Sequence, residues 1–258
     1  MFQGLLKKDF LLIKTYLWIW LAGVVLLYAA GASFASYRDR FDLVFPFLIA
    51  LFAGHAVILP ITAAILLKAE EKGQYWLHGT AGGKKLLSSK LLISAVVTIA
   101  SLFVTNVLTL FSLWVSEFED YSIWPHGEFP LFEGVLFNGG VLFGALYFAI
   151  WGLFLWALFH SMSQYPGLKR FRWIIIIAVY FITQTIITRI AEWSAVKTFL
   201  QSSSFQVGSP ESNIGQFDGV RFTMSSGEFL VWPVILSIVG LCLLFFAAGW
   251  LLDRKVEV

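Results

Sequence analysis

The residues best equipped for chemistry lie in one polar segment, KAEEKGQYWLHGTAGGKKLLSSK, from Lys68 to Lys90. Its Gly82-Gly83-Lys84 step invites comparison with a phosphate-binding loop. That loop needs Gly, four residues, then Gly-Lys-Ser/Thr, so that backbone amides wrap phosphates while a hydroxyl reaches magnesium. With Gly83-Lys84 in register, His78 stands where the first Gly belongs and Lys85 where the hydroxyl belongs. No strand precedes it, so the chain is not expected to hydrolyse ATP by itself. Cys242 is the single cysteine and sits in an apolar run, which excludes disulfide frameworks and Cys-rich zinc sites and reads as packing. His55 lies alone in another apolar stretch. A histidine at such a depth is a functional candidate, yet no His, Cys or carboxylate sits one helical turn away, so no metal site is expected.

Two further polar sets are periodic. Ser94, Thr98, Ser101, Thr105, Thr109 and Ser112 recur every three or four residues, which is one helix face. Hydroxyls that bond their own i−4 carbonyls make such a stripe inexpensive, and packing against a neighbour is the preferred reading. Tyr180, Gln184 and Thr188 recur every fourth residue, followed by Arg189 and Glu192 as an ion pair. Buried in a membrane, they must face protein or water, as an interface between permeases or part of a substrate path. His55 belongs to the same group of candidates.

The elements that position these residues follow from composition. The 258 residues are 59% hydrophobic and 13% charged, with 26 Phe and 11 Trp. Soluble domains run at about 25% charged, and a soluble fold could not hide so much aromatic surface. A net charge of +2 gives no footing for nucleic acid. Six apolar stretches reach the roughly 20 residues needed to cross a hydrocarbon core: Tyr16–Ser36, Leu43–Leu67, Leu91–Val115, Gly134–Phe159, Trp173–Ile190 and Phe229–Leu252. Backbone in lipid must satisfy its own hydrogen bonds, so these are expected helices. The expected fold is all-α, a single polytopic domain over residues 1–258. Gly140 and Gly144 have the small-xxx-small spacing that lets helices touch.

Orientation follows from the basic residues. With the N-terminus inside, thirteen of the 18 lysines and arginines fall in cytoplasmic segments, as the positive-inside rule demands. Both termini are therefore expected in the cytoplasm. Lys7-Lys8, an apolar run and Ala30-Gly31-Ala32 outline a signal peptide, but the run is of spanning length and reads as a retained helix. Residues 1–15 carry Phe2, Leu5, Leu6, Phe10 and Ile13 at helical spacing, an amphipathic segment for the membrane interface, with a plain basic flank as the alternative. In the loop 68–90, Tyr75, Trp76 and Leu77 form an apolar patch suited either to docking a partner or to resting on the membrane interface. The outer segment 191–228 is long for a helix connection and reads as a small cap or re-entrant piece.

With Lys7, Lys8 and Asp9 at the start, then Glu70, Glu71, Lys72 and Gly73, and finally Leu86, Ser89, Lys90 and Leu91, the chain resembles permease subunits of bacterial ABC-2 type exporters. The resemblance covers the topology of the whole chain through degenerate motifs. Gly79-Thr80-Ala81-Gly82-Gly83-Lys84 stands where the family tends to carry a Leu-Pro-Ser-Arg-like stretch. It implies a multi-pass protein of the bacterial plasma membrane, working as a dimer with a second permease, identical or homologous. Separate ABC-type ATPase subunits would bind ATP and magnesium, and this chain would hold no cofactor. It further implies that Glu70, Glu71, Tyr75, Trp76 and Leu77 meet the ATPase, while Lys7, Lys8, Lys84, Lys85 and Lys90 anchor the chain at the headgroups. The implied cargo is an amphipath such as an antibiotic, an antimicrobial peptide or a lipid-like molecule.

Two other classes compete. Glu70-Glu71 is similar to the paired glutamates of intramembrane metal-type prenyl-protein proteases, but Tyr75 stands where those have Arg, and no later His or Asn motif follows. A stand-alone carrier or channel is the second, and the lack of any Asp or Glu at mid-membrane argues against ion coupling.

Overall fold

The computed structural model describes residues 2–73, 82–118, 131–162, 165–215 and 219–255. Among them, in chain order, are α1 (Phe2–Tyr37), a 3-10 turn (Phe41–Val44), α2 (Phe45–Gly73), α3 (Gly83–Phe118), α4 (Leu131–Ser161), the single turn α5 (Pro166–Lys169), α6 (Arg172–Ala191) and α7 (Ser194–Gln201). Strands β1 (Ser204–Gly215) and β2 (Gly219–Leu230) follow, then α8 (Val231–Lys255). Six helices, α1 to α4, α6 and α8, are long and apolar enough to cross a membrane, one for each expected span. The protein is a helical, multi-pass membrane protein.

The helices overrun the expected spans on one side. At 1.5 Å per residue, the 36 residues of α1 and of α3 each extend about 54 Å, against a hydrocarbon core of about 30 Å. Residues 2–15 form no separate helix; they continue into the first span as part of α1. Leu5 to Tyr16 contain neither Gly nor Pro to break the helix. The inward face of this stretch is also spent on protein: Asp9 and Ile13 are fully buried, Ile13 packing with Ile58, Leu66, Ile93 and Val97. The buried set Asp9, Ile13, Val24, Tyr28, Gly31, Ala35 keeps one helix face turned to the bundle.

Contacts define one shared end of the bundle. There Asp9 of α1 meets Lys90 of α3 and Lys90 meets Glu70 of α2. Glu71 faces His160 of α4, and Asp253 of α8 reaches Gly83 of α3. Arg172, which opens α6, lies over the Phe159 ring of α4 at 4.2 Å from its centroid. The start of α1 and the end of α8 therefore share one face, which is also the lysine-rich one. Within the bundle α2 packs between α3 and α4, α8 lies on α4 and α3, and α1 lies along α3. By contrast, α6 leans on α4 and is mostly unburied.

At the opposite end the segment 191–228 forms α7 and an antiparallel hairpin, in register from Ser204↔Leu230 to Gly215↔Gly219. Among the described residues this hairpin is the one sheet, and β2 runs directly into α8. The glycines also redistribute the expected close contacts. A Cβ on Gly140 or Gly144 would meet nothing within 4 Å, so their spacing marks no helix contact in this chain. Among the described glycines the tight approaches are Gly31 against Phe47, Gly83 against Leu252 and the Gly249 carbonyl, and Gly249 against the Lys84 side chain.

Gly83→Ala would place its methyl 2.8 Å from Leu252 Cβ and 3.0 Å from the Gly249 carbonyl oxygen. It should cost about 1–3 kcal/mol by overpacking. Gly140→Ala should be neutral or slightly stabilising through helix propensity. Thermal unfolding of the two variants in detergent distinguishes the sites.

Candidate functional site

The lysine-rich end is organised by charge. Lys90 and Asp9 are 0% exposed and Glu70 is 1% exposed. Lys90 Nζ donates to Asp9 Oδ1 at 2.5 Å and to Glu70 Oε1 at 2.6 Å. Ser89 Oγ donates to Asp9 Oδ2 at 2.5 Å, and Lys8 Nζ, half-buried, donates to Glu70 Oε1. Two carboxylates and two ammonium groups make the set formally neutral. An isolated ion in such a place costs several kcal/mol in lost hydration, so each charge must be met by another. Three helices supply the four charges, and none of α1, α2 or α3 can leave without stranding the rest. Glu70 Oε2 is buried and finds no donor among the described residues.

This arrangement places two of the expected contact residues inside the bundle. The first carboxylate oxygen of Glu70 is taken by two lysines and its side chain is enclosed. Both carboxylate partners of Lys90 hold its ammonium among α1, α2 and α3. Lys8 has a foot in the same cluster. By contrast, Glu71 is half-exposed with Oε1 3.5 Å from His160 Nε2, and Lys84 and Lys85 are exposed. Tyr75, Trp76 and Leu77 lie outside the described residues, and Lys7 is exposed on α1.

The start of α3 is tied to α8 as well. The Gly83 amide, at the first turn of α3, donates to Asp253 Oδ1 at 2.5 Å. One of the orphan amides of that helix start is thereby capped by a carboxylate from another helix. The Gly83–Gly249 approach lets α8 come close enough to do so.

Below this layer the stripe of α3 runs inward. Ser94, Thr98, Ser101, Thr105 and Ser112 are all 0% exposed, so the packing reading holds. Thr98, Thr105, Thr109 and Ser112 donate to carbonyls four residues back. His55 is buried beside the stripe. Its Nδ1 lies 2.7 Å from the Leu51 carbonyl, which can only accept, so Nδ1 carries the proton and Nε2 accepts from Ser101 Oγ at 2.9 Å. His55 therefore ties α2 to α3. Further out, Tyr28 of α1 and Ser112 share a bond of 2.9 Å, and Asn106 and Asn138 form a reciprocal amide pair between α3 and α4 at 2.8 and 3.0 Å.

On α6, Gln184 donates to the Tyr147 hydroxyl and Tyr180 meets Trp151 edge-on at 5.2 Å, so both face α4. Thr188 is exposed, and Arg189 pairs with Glu192 at 3.3 Å on an open surface. The candidates on this helix thus divide between an internal seam and an outward face. Among the described residues no group of three or more His, Cys, Asp or Glu is placed to hold a metal ion.

Comparison with known proteins gives one full-length likeness. The chain is 27% identical over 261 residues to the uncharacterized protein YhcE of Bacillus subtilis (strain 168), covering 100% of this chain and 99% of that one. No protein-family model matches, and no solved structure matches. The likeness extends over the whole length and carries no activity with it.

Lys90→Met leaves Asp9 and Glu70 buried against too little positive charge and should destabilise the protein by about 3–5 kcal/mol. Asp9→Leu and Glu70→Leu added to Lys90→Met should recover most of that loss, since an apolar replacement of a whole buried set is often tolerated. Denaturant titration in mild detergent of the single and triple variants checks both statements.

Proposed function

We propose that this chain is the membrane-spanning permease subunit of an ATP-driven exporter of the bacterial plasma membrane, with the motor on separate ABC-type ATPase subunits. The observation that carries the reading is the pair of ties on the helix ends that flank residues 74–81. The Asp9–Lys90–Glu70 cluster joins the end of α2 to α1 and α3, and the Gly83–Asp253 bond joins the start of α3 to α8. A push on that segment reaches α1, α2, α3 and α8 together, which is what a transmitted power stroke requires. The resemblance to ABC-2 permeases supports the same reading, and so does a sequence that offers no phosphate-binding loop.

In this proposal Glu71, with Tyr75, Trp76 and Leu77, meets the ATPase, while Glu70 holds the frame behind them. A second copy or a homologous permease completes the passage, with the exposed face of α6 around Thr188 available to it. Amphipathic molecules are the proposed cargo, and both termini face the cytoplasm.

Purification of the intact chain from its native membrane, without crosslinking, should bring down a soluble ATPase in stoichiometric amount. Tyr75→Ala combined with Trp76→Ala should leave membrane insertion unchanged and abolish stimulation of that ATPase by substrate. Full stimulation in the double variant, measured by phosphate release in proteoliposomes, would overturn the coupling role.

A further inference from the structure

An apolar hollow of about 610 Å³ opens between α3, α4 and α8, within the usual range for a small-molecule site. Leu91, Leu146, Ile238, Leu241, Cys242 and Phe246 are among the residues lining it. From Ile238 to Phe246 it follows α8 for about 12 Å, a depth suited to part of an acyl chain. Its rim is cationic. Lys84 Nζ stands over the Phe246 ring at 5.1 Å from the centroid, one turn from Ser88, which also lines the hollow. The i, i+4 row that includes Ile238, Cys242 and Phe246 continues to Trp250 and Arg254, and the Arg254 guanidinium lies 5.9 Å from the Trp250 ring centroid. Lys85 stands beside Lys84, and both are exposed. Among the described residues neither lysine forms an ion pair. A carboxylate of this corner, Asp253, gives Oδ1 to the Gly83 amide. Among the described residues, Lys84 at the rim, Lys85 next to it in the chain and Arg254 further along α8 stand against that one engaged carboxylate.

A second hollow, about 300 Å³ between α2 and α4, makes the contrast. Its rim carries both Lys68 and Glu71, so it offers no excess of either charge.

We propose that the hollow between α3, α4 and α8 is a binding site for one anionic phospholipid of the membrane leaflet at the lysine-rich face. An acyl chain lies along Leu91, Leu241 and Phe246, and the phosphate is held by Lys84, Lys85 and Arg254. The site needs the chain to sit in a bilayer and does not rest on the exporter reading.

The test uses the full chain in nanodiscs of mixed phosphatidylglycerol and phosphatidylcholine, released and weighed by native mass spectrometry. The wild-type chain should retain one phosphatidylglycerol in preference to phosphatidylcholine. Lys84→Gln with Lys85→Gln should weaken that retention about 30-fold, from the usual attraction of each basic residue to an anionic surface. Cys242→Trp should displace the lipid by filling the hollow with no change of charge. Because Cys242 is the only cysteine, the unaltered protein provides an independent readout. A lipid-soluble maleimide should label it more slowly in phosphatidylglycerol than in phosphatidylcholine. Equal retention of the two lipids by the wild-type chain, unchanged retention in the variants, or equal labelling in both lipids would each overturn the proposal.

Discussion

Lys90 cannot be left uncompensated, and much of the architecture at the lysine-rich end answers to that constraint. Its ammonium is enclosed at the start of α3, where the hydration it gives up must be replaced by the carboxylates of Asp9 and Glu70. Those carboxylates come from two other helices, so satisfying one charge fixes the mutual position of three elements. Ser89 and Lys8 then take up further lone pairs of the same carboxylates. The unbroken run of α1 past the hydrocarbon core follows from this, since Asp9 reaches the cluster only if the helix extends that far.

From the cluster the ties descend through the bundle at wide intervals. Polar contacts between helices recur at His55–Ser101, at Asn106–Asn138 and at Tyr28–Ser112. Between them lie apolar side chains and hydroxyls, most of them bonded back to their own helix, with Leu87, Leu153, Ala157 and Ala248 in the core among α3, α4 and α8. Directional bonds set the relative rotation of the helices, and hydrocarbon packing fills the spaces. The Gly83–Asp253 bond extends the same frame to α8, which the charge cluster does not touch.

Number, position and helical character of the spans were legible from composition, because a helix in lipid needs only a long apolar run. The same simplicity hid everything that depends on which face meets which neighbour. Glu70 and Lys90 read as loop charges since they flank a polar segment, and nothing in spacing shows that two helices extend far enough to enclose them. Asp9 was visible only as part of a basic start, and Asp253 carried no local signal at all. The paired amides Asn106 and Asn138 stand 32 residues apart on separate helices, so no local pattern joins them. Gly140 and Gly144 have the spacing of a helix contact, yet no described residue of this chain would lie within 4 Å of a Cβ at either. The hairpin was missed because its strands are rich in Ser and Gly and lack a clear apolar alternation.

The hydroxyls of α3 have a mechanical consequence. Thr98, Thr105 and Thr109 spend their protons on their own helix and ask nothing of α1 or α2. A small axial slip of α3 past its neighbours would orphan none of these groups, whereas it would have to break the imidazole tie, the tyrosine tie and the ionic knot. Resistance to sliding is thus concentrated in a few discrete catches along an otherwise smooth rail.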